Sequence, residues 1–169
     1  GCIHRSNFDF SISSFNKINQ ILSHRGPDSE GVVEIQKSDN FIKLGHKRLS
    51  ILDLTENGNQ PMNSYSKRYI ISFNGEIYNH LELRKKFLID KNIIWNGTSD
   101  TETLLALFDH FDFNFVLNII DGMFAFILYD HKENYVYLAR DRSGEKPLYI
   151  SSNNLHIGFA SDLEPLKKI

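Results

Sequence analysis

The chain has 169 residues, of which 41% are hydrophobic and 24% charged, with a formal net charge of -2. That is the balance of one soluble globular domain with a real core. It excludes a basic nucleic-acid-binding stripe and a basic helix lying on a membrane, and the longest apolar runs, such as Met123 to Tyr129, are strand-sized and too short to span a bilayer.

In chain order, the opening residues Gly1 to Arg5 carry no charged-then-apolar leader, and the lone Cys2 rules out an internal disulfide framework, so the expected compartment is the cytoplasm. Position 1 is not Met, which points to a processed or excised piece of something longer. Phe15, Ile18, Ile21 and Leu22 are spaced as one face of a helix over about 14–22. Strands are expected at about 31–36, 41–46 and 68–74. Three helix starts read as capping boxes, with Asn79, Ser99 and Ser161 each three residues before a Glu, and predict helices over about 79–88, 100–111 and 162–167. From Gly122 onward, short strands at about 123–129, 135–140, 148–151 and 155–159 alternate with polar turns. Strand groups bracketed by helices predict an α+β layered fold rather than a doubly wound sheet.

Chemistry-bearing residues lie in short runs between these elements. His24 to Gly31 reads as a polar connection after a helix. Arg48 borders an apolar stretch, where a guanidinium either holds a carboxylate with two parallel bonds or is a surface charge, and Lys47 is expected to be solvated. Asn74-Gly75 directly after a strand is either a tight turn or an oxyanion hole, with the Asn amide and the Gly N–H converging on one developing charge. Glu76 beside it suits an ammonium group. Asp100 is either a first-turn acid favoured by the helix dipole or a carboxylate for a substrate amine. The alternating charges of Arg140 to Lys146 form either a solvated turn or a salt-bridge cluster. The seven His do not pair at metal-ligand spacing, so no metal site is expected, and no P-loop, GxGxxG or GxSxG occurs.

Taken together and in this order, HRGPDSEG, GHKRLSILDL, GNQPM, FNGEIYNH, TSDTE, DGMFAFILYD, RDRSGEKPLY and FASDLEPL resemble the class II (N-terminal nucleophile) glutamine amidotransferase domain of the asparagine synthetase family. The resemblance covers nearly the whole chain, so residues 1–169 are expected to be one glutaminase domain. It implies a four-layer αββα sandwich, with two antiparallel sheets between helices. It implies hydrolysis of glutamine to glutamate and ammonia by an N-terminal Cys whose α-amine shuttles the proton. By matching positions, Asn74 and Gly75 are implied to form the oxyanion hole and Arg48 to hold the substrate α-carboxylate. Glu76 and Asp100 are implied to hold its α-ammonium, with backbone around Leu49 and Ile51 assisting. The family's synthetase domain, which uses ATP and Mg, is expected to follow in the parent protein, and no cofactor is expected in the domain itself. Amino-acid biosynthesis is the implied setting, with homodimer formation left open.

The opening Gly1-Cys2-Ile3-His4 departs from the family's Cys-Gly-Ile-x-Gly. Two registers remain. In one, Cys2 is the nucleophile and Gly1 blocks its amine. In the other, Gly1 is the family's later Gly, Cys2 and Ile3 continue a first strand, and the nucleophile belongs four residues upstream; a chain without it is a glutamine-binding or docking module.

Overall fold

The computed structural model describes residues 1–169. Its first sheet has the order β2-β3-β1-β9-β8, formed by β1 (Cys2–Arg5), β2 (Ser29–Lys37), β3 (Asn40–Arg48), β8 (Tyr149–Ser152) and β9 (His156–Ala160). The second has the order β4-β5-β6-β7, from β4 (Met62–Asn63), β5 (Tyr69–Ile77), β6 (Gly122–Asp130) and β7 (Tyr135–Arg140). Every pairing in both sheets is antiparallel. Helix α1 (Ile12–Gln20) lies on the first sheet, with α5 (Leu163–Leu166) packed on β9. Helix α3 (Asp100–His110) lies on β5, flanked by α2 (His80–Leu83, continued by a wider turn over Arg84–Leu88) and α4 (Phe113–Ile119).

Strand alternation explains the layers. In β5, Ile71, Phe73 and Ile77 face the helices, where they join Leu104, Leu107, Phe124, Phe126 and Leu128 in the largest core. Ile70 faces the other way and packs with Ile42, Leu44, Ile127, Tyr129 and Phe159 between the sheets. A third cluster, of Cys2, Phe10, Phe15 and Ile18, seals α1 to the outer face of the first sheet. The order is therefore helix, sheet, sheet, helix, as the resemblance implied. No helix is long and apolar enough to cross a membrane.

Several local expectations need correction. Strand β5 does not end in a turn at Asn74-Gly75 but runs on to Ile77, paired with Gly122. Gly75 permits this, because a Cβ there would stand 2.1 Å from the Met123 carbonyl oxygen and 2.7 Å from the Phe124 Cα. Of the three expected caps only Ser99 accepts from the N–H three residues on, that of Glu102. Asn79 instead ties the end of α4 to the start of β6, donating to the Ile119 carbonyl and accepting from the Asp121 N–H. Asp162, not Ser161, caps α5 by accepting from Glu164. The charges of 140–146 neither pair with one another nor simply face water. Asp141 accepts from the backbone of Phe124, Glu145 and Lys146, and Arg140 donates to the carbonyls of Gly144 and Lys146. Lys47 is not free in solvent either, since its ammonium lies against Glu30 and Gln20.

Candidate active site

A cavity of about 460 Å³ opens where the two sheets part, beyond the last core residues of β3 and β5. Arg48, Leu49, Ile51, Asn74, Gly75, Glu76 and Asp100 all line it, so residues as far apart in sequence as Arg48 and Asp100 converge; Cys2 does not. The same alternation that sends Ile70 into the inter-sheet core turns Ser72, Asn74 and Glu76 inward. On β3 it puts His46 and Arg48 on the face of Ile42 and Leu44.

The outer edge of β5 shows how the cavity wall is built. Strand β4 pairs with β5 only at Ile70 and Ile71, so farther along, the edge N–H groups need other acceptors. The Phe73 N–H donates to Gln60 Oε1 at 2.6 Å, and the Ile77 N–H donates to Asp100 Oδ2 at 2.9 Å. Alternation places the Gly75 N–H between these two on the same edge. Next to it the Asn74 side-chain nitrogen is buried with no hydrogen-bond partner. An unpaired buried amide donor is costly unless a ligand or water meets it. Two adjacent donors here suit an oxygen that gains negative charge.

Asp100 is buried at the start of α3. Burial raises its carboxyl above the ordinary range, opposed by its bonds from the Ile77 and Thr101 N–H groups and by nearby His80. Half-buried Glu76 lies on the same wall, and no side-chain hydrogen bond occupies its carboxylate. In the same cavity, Arg48 is buried rather than a surface charge. Its Nη1 donates to the Thr55 carbonyl at 2.8 Å and to Asn59 Oδ1 at 3.2 Å, while its Nη2 donates to the carbonyls of Leu52 and Asp53. Gly58 makes room for this, since a Cβ there would fall 2.0 Å from Nη2. A guanidinium and two carboxylates lining one cavity match the two charges of an α-amino acid.

Sequence reasoning missed His46 and Gln60, which also line the cavity. His46 Nε2 bonds the Phe73 carbonyl at 3.0 Å and its Nδ1 has no partner. Burial pushes its pKa down to about 4, so the ring is neutral near pH 7 and donates from Nε2. The period-two reading of β3 was the available signal for it. Gln60 had none, because its partners Phe73 and Thr101 are remote in sequence.

Cys2 sits mid-sheet, paired on one side with Lys43 and on the other with Gly158. It is fully buried among Phe10, Phe15 and Ile18, and burial raises its thiol to about 11. Gly1, by contrast, lines the cavity, with its amine donating to the Phe159 carbonyl at 2.6 Å. From there β3 runs on to Arg48, and β9 to Ala160, flanking the line of β1.

Two antiparallel sheets between helical layers, with amide donors, a guanidinium and two acids around one cavity at the sheet ends, define a domain of the N-terminal-nucleophile hydrolase architecture. The chain belongs to the glutamine amidotransferase domain family, whose sequence profile matches residues 2–169. It is 42% identical over 150 residues to asparagine synthetase [glutamine-hydrolyzing] 1 of Bacillus subtilis, covering 89% of this chain and 23% of that protein. Asparagine synthetase [glutamine-hydrolyzing] 1 of Arabidopsis thaliana is 39% identical over 134 residues, 79% of this chain and 21% of the relative. The amidase chyE of Penicillium rubens is 39% identical over 129 residues, 76% and 18% respectively. The chain thus spans about a quarter or less of the length of these relatives. Among solved structures, the glutamine phosphoribosylpyrophosphate amidotransferase of B. subtilis superposes with a TM-score of 0.77 over 98% of this chain and 42% of its own, at 20% identity, a likeness of fold.

Proposed function

We propose that this domain hydrolyses glutamine to glutamate and ammonia, and passes the ammonia to an ATP- and Mg-using synthetase domain of the parent protein. The observation that carries the reading is the pair of donors on β5, the buried and unpartnered Asn74 nitrogen beside the Gly75 N–H, in the same cavity as Arg48 and the acids Glu76 and Asp100. On this reading the side-chain amide oxygen of glutamine lies against the Asn74 and Gly75 donors, which bind it more tightly as it becomes an oxyanion. Arg48, through the Nε–H that its loop contacts leave free, and with backbone at Leu49 and Ile51, takes the α-carboxylate, and Glu76 and Asp100 take the α-ammonium.

On this reading Cys2 is not the nucleophile. A thiol held near 11 in a dry core, away from the cavity, supplies almost no thiolate at pH 7. The same reading assigns the attacking thiol to the line of β1 beyond Gly1, between β3 and β9, where a terminal Cys would border the cavity that Gly1 lines. Its own amine then takes the thiol proton and returns it to the departing ammonia, and water cleaves the thioester left behind to give glutamate and the free thiol. The burial of Cys2 equally supports a second reading, a glutamine-binding module without chemistry, should no thiol stand there.

The test is glutamate release by the full-length protein with its native N-terminus. Glutamate is expected to form, and Asn74→Ala is expected to lower kcat by about 10²–10³-fold with a small change in KM. Glutamine that binds without turnover selects the second reading. Failure to bind glutamine at all would falsify both.

A further inference from the structure

Resting on the glutamine site proposed above, the geometry points to Asp53 as a positioning residue that joins the carboxylate-binding and ammonium-binding sides of the cavity into one unit. The hydrogen bonds form a continuous chain. Arg48 hooks onto the carbonyls of Leu52, Asp53 and Thr55. Asp53 takes left-handed backbone geometry, with φ of 51°, which turns the segment back on itself. Its Oδ1 accepts from the Thr55 N–H at 3.1 Å and hydroxyl at 2.6 Å, closing that turn. Its Oδ2 reaches out of the segment and accepts from the Thr98 N–H at 2.8 Å. Gly97 is shaped to admit it, since a Cβ there would stand 2.1 Å from Oδ2. A second bond runs parallel, from Asn57 Nδ2 to the Asn96 carbonyl at 2.6 Å.

The receiving segment is itself fixed. Glu102 accepts from the N–H groups of Asn96 and Gly97. Arg84, stacked on Trp95, donates to the carbonyls of Gly97 and Ser99. Ser99 then caps α3, and Asp100 follows. Asp53 therefore connects the loop that holds Arg48 to the anchored segment that presents Asp100. Its hydrogen bonds from Thr55 and Thr98 keep the carboxylate below its ordinary pKa, so it stays an acceptor on both oxygens at neutral pH. An amide cannot replace it. In either orientation of an Asn, one backbone N–H of Thr55 or Thr98 would meet an N–H donor.

The experiment uses the full-length protein with its native N-terminus, assayed for glutamate release. Asp53→Asn is expected to raise KM for glutamine about tenfold or more while kcat changes less than about twofold, the split of lost substrate positioning rather than lost chemistry. Arg48→Ala, measured alongside, separates the two levels of inference. If it too leaves KM unchanged, or if the wild-type protein neither binds nor hydrolyses glutamine, the glutamine site itself is wrong and the inference falls with it. If Arg48→Ala raises KM but folded Asp53→Asn behaves as wild type, or loses kcat and KM binding together in step with a lowered Tm, the Asp53 inference alone is overturned. Asn57→Ala covers the case in which Asp53→Asn does not fold. It removes the parallel bond from an exposed side chain and is expected to raise KM about threefold; an unchanged KM overturns the coupling.

Discussion

The two walls of the cavity are held in different ways. The strand wall, Ser72 to Glu76, has behind it Ile71, Phe73 and Ile77, each no more than 3% exposed and packed into the largest core. The loop wall, Leu49 to Asn59, has no such backing: Leu49, Ile51 and Leu54 are 56%, 70% and 78% exposed. What holds it is polar, the Arg48 hook and the Asp53 and Asn57 bonds. The groups assigned to the reacting amide thus stand on the stiff wall, and those assigned to the substrate's carboxylate on the soft one. An oxyanion hole works by not having to reorganise, whereas a carboxylate clip must let substrate in.

This contrast can be broken from either side. Phe126→Ala, which empties the core behind the strand wall, is expected to lower stability by about 3–5 kcal/mol in urea unfolding. A loss under about 1 kcal/mol would mean that the strand wall is not fixed by packing. A smaller effect comes from pH. Burial depresses the pKa of His4, His46, His80 and His131, His46 to about 4, below the ordinary 6.5. Between those values the unfolded chain binds more protons than the folded one, so stability rises with pH there. The contribution of these four rings is therefore expected to be complete above about pH 6.5 and to fall as pH drops toward 4, read as a shift in the urea midpoint. A midpoint flat across that range would show that these rings are not buried neutral. The smallest effect is expected at Leu54→Ser on the loop wall, within about 0.5 kcal/mol of wild type, because an exposed side chain has little to lose. A larger loss would reveal apolar backing on that side.

The same contrast explains what could be read from the sequence. The layered α+β fold followed from alternation and helical spacing, and the site residues on β3 and β5 stood in recognisable runs. Helix α4 did not, because Asp112 caps it by accepting from Asn114 and Phe115 with no Glu three residues on to mark the box. The Asn74-Gly75 pair read equally as a turn, since nothing local shows that β6 lies close enough to demand a glycine in mid-strand. The hook of Arg48 was also invisible, because a guanidinium bound to carbonyls leaves no trace in side-chain pattern. Asp53 and Thr98 are 45 residues apart and meet through a backbone N–H, which any residue but proline would offer.

The burial of Cys2 also gives the protein a chemical clock. It is the chain's one thiol, locked mid-sheet between two partner strands. An alkylating reagent reaches it only when β1 leaves the sheet, so the labelling rate at this position reports the release of β1 from β3 and β9. Substrate entering the cavity slows that rate only to the extent that it stabilises the fold.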